Sequence, residues 1–367
     1  MPPIIIGGGP AGAAAAAVIA AAGRAVTLIE RSRGPGDKLC GDFLSGGAAS
    51  ALRELGIDLL RLGAMPLLTI RLVHRDTVAE AALPFPAFGL SRRSLDEALL
   101  HAAAQHGAQI RRGENVRGVA TTSGGFTIRT AGGQVLSAEA VFLATGKHDL
   151  RELMRPRAAD GLLGLKMYFE LAPDQRAALE GCIELMLLNG GYAGLQLVEQ
   201  DRAVLCMLVP AARYVRNGRN WDRLLTELGT EVPLLRQRLA GAVPCLAQPL
   251  AIAGMPYGHL HRPPRNAPPG LFRLGDQACV VPSLAGDGVA IALSSGMAAA
   301  AAWLRGDSAG RYHADLVTRA GGPLRFASLI HAACRVPAAQ RLLAAACRSW
   351  PGTLRLAASL TRVARPV

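Results

Sequence analysis

Apolar and polar positions along the chain follow two rhythms, a strand-and-helix alternation at both ends and a strand-only pattern in the middle. At the start, Ile4-Ile5-Ile6 runs into Gly7-Gly8-Gly9, an alanine-rich stretch follows, and Val26-Thr27-Leu28-Ile29 ends on Glu30. These short apolar runs on either side of a glycine turn and an alanine stretch predict a strand, a turn, a helix and a second strand ending in an acid. Ala48 to Leu55 reads as a helix stopped by Gly56, and Leu68 to Val73 alternates as a strand, with Pro84 and Pro86 marking an edge or a loop. Ser91 is a cap candidate for a helix running to Gly107. Ala108-Gln109-Ile110 begins a strand, and 116–136 predicts hairpin strands around Gly124-Gly125 and Gly132-Gly133. Ala140 to Ala144 is a buried strand running into Thr145-Gly146.

The middle of the chain changes character. Leu162 to Leu171, Ile183 to Leu188 and Ala203 to Val209 predict a largely antiparallel sheet, interrupted by one helix near 221–240. Two proline-rich segments lead out of it. Leu271 to Leu274 is then a strand ending on Gly275-Asp276, followed by Gly286-Asp287-Gly288 and a helix from Val289 to Leu304.

Gly7, Gly9 and Gly12 fit G-x-G-x-x-G, with Pro10 and Ala11 inside the turn and Glu30, followed by Arg31, at the end of the second strand. The glycines serve the tight turn, the close approach of a pyrophosphate and the packing of helix on sheet. The helix N-terminus offers donors and a positive dipole end to phosphates, and Glu30 suits a ribose diol. This stretch alone does not choose between dinucleotides.

At 367 residues the chain has room for two cores, and half of its residues are hydrophobic. The net charge of +13 is spread along the sequence with no nucleic-acid-binding motif, and aromatics are only 4%, so a nucleic-acid partner is not expected. Seven scattered cysteines without a C-x-x-C pattern argue against a zinc site or disulfide framework and suit a reducing compartment. The N-terminal apolar run lacks a basic leader and is cut by glycines, and no apolar run is long enough to span a bilayer. A cytoplasmic location is therefore expected.

The stretch Gly275-Asp276-Gln277-Ala278, with Pro282-Ser283-Leu284-Ala285-Gly286-Asp287-Gly288-Val289, resembles the FAD-dependent oxidoreductases of the para-hydroxybenzoate hydroxylase fold. Within that group it is most similar to the geranylgeranyl reductases, which carry G-D-A-x…P-x-x-G-E-G-I. Lys38-Leu39-Cys40-Gly41-Asp42-Phe43-Leu44-Ser45 resembles the same branch's K-x-C-G-D-x-L-S, and Arg92 to Asp96 its R-x-x-x-D. The resemblance implies FAD, with Gly7, Gly9, Gly12 and Glu30 at the ADP half, Arg92 at the phosphates, Asp276 at the ribityl chain and Gly286 to Val289 at the isoalloxazine. Cys40, Thr145, Gly146, Gly275 and Pro282 join the expected cofactor contacts. The implied fold is α/β: a discontinuous Rossmann-like FAD-binding domain (1–66, 91–160 and 270–306), an inserted antiparallel-sheet substrate domain (67–90 and 161–269) and a C-terminal helical region (307–367).

The chain departs from the family pattern at several points. Thr145-Gly146 stands where many members have Asp-Gly, which leaves NAD(P)H or another reductant open as electron donor. Gln277 replaces the usual alanine and Asp287 the reductases' glutamate. The halogenases' W-x-W-x-I-P is absent, because Trp221, Trp303 and Trp350 stand alone, so halogenation is not expected.

The resemblance implies hydride transfer through flavin N5 to or from a carbon–carbon bond of a hydrophobic isoprenoid, lipid or polyketide-like substrate. The alternative is a monooxygenase that hydroxylates an aromatic or polyketide substrate through a flavin hydroperoxide; a non-enzymatic binding protein is a third reading. Asp42, Tyr192 and His148 are catalytic candidates by position, Tyr192 being readable either as facing the flavin or as part of a glycine-rich turn. Cys40 is either a packed loop cysteine or, beside Lys38, a reactive thiol. From Pro323 to Val367 there are seven arginines and no acids among apolar clusters, which suits both a helical cap on the substrate domain and contact with an anionic membrane surface.

Overall fold

The computed structural model describes residues 1–156 and 161–363. Its first sheet is five-stranded and wholly parallel, in the order Leu271–Arg273, Val141–Leu143, Ile4–Ile6, Thr27–Glu30, Gln109–Arg112. Ile4–Ile6 lies between two strands that the chain reaches in opposite directions. The crevice at the carboxyl ends of these strands is where open α/β sheets bind ligands. Helix Pro10–Ala21 packs on this sheet almost entirely through alanine, which brings it close to helix Gly288–Leu304. Added Cβ atoms show how close. One on Gly12 would lie 2.0 Å from the Gly7 carbonyl oxygen, and one on Gly296 would lie 2.1 Å from that of Ala11.

The second sheet has eight strands in one path, Val243–Pro244, Leu162–Glu170, Ala203–Pro210, Gly191–Leu197, Cys182–Leu188, Met65–His74, Thr77–Gly89 and Phe43–Leu44, with Leu250–Ala253 added beside Leu162–Glu170. All of its pairs are antiparallel except Met65–His74 with Cys182–Leu188, which run parallel. A small third sheet, Val116–Thr122, Gly125–Thr130 and Val135–Ala138, carries the expected hairpins. Helices Ala309–Ala333, Pro337–Ser349 and Gly352–Leu360 close the described chain. The α/β architecture with its antiparallel sheet and helical C-terminal region is as expected from the sequence.

Local departures have local causes. The helix expected near 221–240 is two, Trp221–Glu231 and Pro233–Arg238, because Pro233 lacks an N–H and forces Val232 out of helical geometry (φ −126°, ψ 92°). Pro84 and Pro86 do not end their strand. Ala82 pairs with Thr69 and Ala87 with Leu67, so both prolines fall in the register shift between those pairs and no ladder donor is needed there. Gly190 makes a turn at φ +77°, but strand Gly191–Leu197 starts at once and takes Tyr192 into the sheet.

Candidate functional site

The opening motif folds as an anion cradle. Gly7 has φ +110°, and a Cβ there would lie 2.3 Å from the Ala144 carbonyl oxygen, so only glycine fits this turn. Gly9 stands at the helix N-terminus with no side-chain cap and Pro10 follows it, which leaves the first-turn N–H groups open to phosphate. The Arg92 guanidinium reaches over Gly9, oriented by a two-point pair with Asp96 at 2.7 and 2.8 Å. The Glu30 carboxylate accepts from the backbone N–H groups of Gly8 at 2.7 Å and Ser32 at 2.8 Å. Burial alone would raise its pKa, but these donors and the Lys38 charge outweigh it and hold the carboxyl below its ordinary value.

Other expected cofactor contacts gather from distant parts of the chain. Gly275, at φ +54°, presses against Ala11, and its N–H donates to Ser295 Oγ. Asp276 lies half-buried just beyond the sheet edge, its carbonyl accepting from Arg155 at 2.8 Å. Gln277, the departure from alanine, donates to the carbonyls of Gly146 and His148 and to Asp149, pinning the turn after Thr145. Pro282 begins a short helical turn that ends at Gly286, whose φ of +65° and close approach to the Phe43 ring exclude a side chain. Gly288 and Val289 open the next helix. Asp287 makes contacts within the protein: Ser45 Oγ and Arg362 donate to Oδ1 and the Val363 N–H to Oδ2. Arg31 lies 2.8 Å from His148 Nε2, and Cys40 is half-buried and packs against the hydrophobic core of the first domain. Burial and the charges of Arg31, Lys38 and Arg155 lower the His148 pKa.

Beside the Pro282–Gly286 turn lies an apolar cavity of about 170 Å³, walled by Ile70, Leu72, Ile183 and Leu185 from the second sheet and by the inner faces of the C-terminal helices. Tyr192 lines it, its hydroxyl 2.8 Å from Ser283 Oγ and accepting from the Leu284 N–H at 3.1 Å. Gln196 and Gly41 also line it, and Gln196 donates to the Asp42 carbonyl at 3.0 Å. Of the three catalytic candidates, Asp42 and Tyr192 come to this side of the molecule, and His148 stays with Arg31 at the cradle.

Sequence reasoning passed over Lys166. It sits fully buried on strand Leu162–Glu170, 2.7 Å from Asp42 Oδ2, and also donates to the Lys38 carbonyl at 3.0 Å. Tyr168 donates to the same carboxylate oxygen at 2.5 Å. Burial pushes the Asp42 carboxyl above its ordinary value, against the pull of Lys166 and Tyr168. A lysine in the otherwise apolar run Leu162 to Met167 was the available signal.

These features meet the demands of a dinucleotide: a turn that excludes Cβ atoms, an uncapped helix N-terminus, an arginine above it and a carboxylate at the second strand end. Residues 1–138 match the family described as FAD binding domain. The N-terminal domain binds FAD. No curated protein matches the chain. Among solved structures, a flavin-dependent brominase superposes with a TM-score of 0.78 at 17% identity, covering 98% of this chain and 92% of that one. The myxobacterial chondrochloren halogenase gives 0.78 at 18% identity, covering 98% and 90%. A flavoprotein/dehydrogenase from Cytophaga hutchinsonii gives 0.78 at 15%, covering 98% and 92%. At these identities the likeness establishes the shared fold.

Proposed function

We propose that this FAD-dependent enzyme hydroxylates a compact, apolar aromatic substrate, taking electrons from a reduced nicotinamide. The observation that carries the reading is the cavity beside the Pro282–Gly286 turn. Its volume of about 170 Å³ suits one or two rings, since an apolar cavity near 150 Å³ accommodates benzene. A long isoprenoid chain needs several times that space. The overall reaction balances as substrate C–H, dioxygen, reduced nicotinamide and a proton giving substrate C–OH, water and oxidised nicotinamide.

Gly7, Gly9, Gly12, Glu30 and Arg92 would hold the ADP half of FAD, and Gly275, Asp276 and the turn at Gly286 the flavin half. Bound FAD supplies the redox chemistry, and the protein supplies orientation and a dry, apolar site. Leu72, Ile183, Leu185 and the inner helix faces exclude water, while Tyr192 fixes the Ser283–Leu284 backbone facing the cavity. Among the described residues, no carboxylate, histidine or lysine lines the cavity; the proton-bearing groups there are Tyr192, Ser283, Thr361, Arg362 and the cysteines at 206, 334 and 347.

Support for the alternative, a reductase acting on a carbon–carbon double bond, is confined to the motifs shared with geranylgeranyl reductases. The two readings separate on the holoenzyme, supplied with reduced nicotinamide and a panel of one- and two-ring phenols under isotopically labelled dioxygen. Hydroxylation predicts one labelled oxygen atom in the product and no turnover without oxygen. Anaerobic saturation of a prenyl double bond, or halide incorporated in place of oxygen, would overturn it.

A further inference from the structure

The outer surface of the three C-terminal helices has no role in the fold or in the proposed reaction. Their inner faces are accounted for, since Ile330, Cys334, Leu343, Cys347 and Leu354 line the cavity. The opposite faces of the last two helices, and the preceding helix at Leu329, expose apolar side chains to solvent. Leu329 is 69% exposed, Leu342 74%, Trp350 75% and Leu356 60%. On helix Pro337–Ser349 the exposed positions Ala338, Arg341, Leu342, Ala345 and Ala346 recur at helical spacing as one stripe. Helix Gly352–Leu360 repeats the pattern with Arg355, Leu356 and Leu360.

Charge selects the occupant. The last acid of the chain is Asp315, so Arg325, Arg341, Arg348 and Arg355 have no carboxylate nearby in sequence, and Arg365 lies outside the described residues. Beside the apolar stripe, Arg341 and Arg348 share a polar cleft of about 450 Å³ with His74, Arg75, Asp76 and Thr77, three arginines against one acid. A second copy of the same face would bring like charges together. A small soluble anion would leave the exposed leucines and Trp350 without a partner. No helix among the described residues is long and apolar enough to cross a membrane.

We infer that this face docks peripherally on an anionic lipid bilayer. Arg341, Arg348 and Arg355 meet the headgroups, Leu329, Leu342, Trp350 and Leu356 enter the interface, and the cavity lies directly behind the helices. An apolar substrate dissolved in the membrane then has a short path to the site.

The test is flotation of the FAD-loaded full chain with phosphatidylcholine vesicles, with and without phosphatidylglycerol. The expected result is flotation with the anionic vesicles only, reversed by salt, and a blue shift of tryptophan emission that Trp350→Phe removes. The combined Arg341→Ala, Arg348→Ala and Arg355→Ala variant should lower partitioning roughly a hundredfold, at about fivefold per arginine. Leu342→Glu with Trp350→Glu should abolish it while circular dichroism and FAD content are unchanged. Equal flotation with neutral vesicles, partitioning indifferent to these substitutions, or a lipid-free dimer disrupted by Leu342→Glu would each overturn the inference.

Discussion

The Lys166 ammonium lies 2.7 Å from the Asp42 carboxylate, and neither side chain touches solvent. The pair joins the loop after the glycine cradle to the second sheet, holding Asp42 in a left-handed conformation at φ +56° that non-glycine residues seldom adopt. Asp42 Oδ1 has no hydrogen-bond partner among the described residues, so the ion pair is that carboxylate's main compensation for burial. Lys166→Met should therefore cost about 3–5 kcal/mol, the usual result of stranding one buried charge. Adding Asp42→Asn should restore much of the loss, and denaturant unfolding of the four proteins in the cycle measures the coupling.

Tyr192 connects the substrate sheet to the turn beside the cavity through Ser283 and Leu284. Tyr192→Phe keeps the ring and removes both bonds, at about 1 kcal/mol of stability. FAD content should hold. Product formed per reduced nicotinamide consumed should fall, because the turn no longer has a fixed position against the substrate, and parallel assays of product and nicotinamide read the difference.

Packing between helices Pro10–Ala21 and Gly288–Leu304 tolerates no added atom at Gly296. Gly296→Ala should separate them, costing about 1–3 kcal/mol and weakening FAD retention, because Pro10 and Gly288 stand at the starts of those helices. Flavin absorbance after gel filtration checks this.

His313 sits buried with Nε2 accepting from the Arg273 N–H at 3.2 Å, which requires that nitrogen to be unprotonated. Burial lowers its pKa from 6.5 to about 4, and the adjacent His261 is lowered to about 3 by burial and by the charges of His313 and Arg273. Between pH 6.5 and 4 the unfolded chain binds a proton at His313 that the folded chain refuses. Stability is therefore fully present above 6.5 and falls as pH drops through that window, by about 1.4 kcal/mol per pH unit for this residue. His313→Gln should flatten that slope in urea unfolding measured at several pH values.

The parallel domain was legible because its signals are local: glycine at 7, 9 and 12, apolar triplets, and Glu30 all lie within thirty residues. The strand at Leu271–Arg273 was legible for the same reason, as an apolar run ending on glycine and acid. The site beyond the cradle was not. Lys166 acquires meaning only when strand Leu162–Glu170 meets the loop at Asp42, and period-two alternation says nothing about that distant partner. Asp287 stands where the reductases carry glutamate, and Ser45, Arg362 and Val363 occupy both of its oxygens from far away in sequence. Pro84 does mark an edge, since Phe43–Leu44 pairs only with Phe88 and Gly89, but the strand continues through it because its missing donor costs nothing at a register shift, and shifts depend on the opposite strand.

The parallel pairing of Met65–His74 with Cys182–Leu188 also sets the order in which the protein can be made. As the chain leaves the ribosome, Met65–His74 waits more than a hundred residues for that neighbour, and Val141–Leu143 waits for Leu271–Arg273. Neither sheet can finish before the other is well under way. Folding should thus be slow and concerted late in synthesis, and truncation before Leu271 should leave the Val141–Leu143 edge open and prone to aggregation.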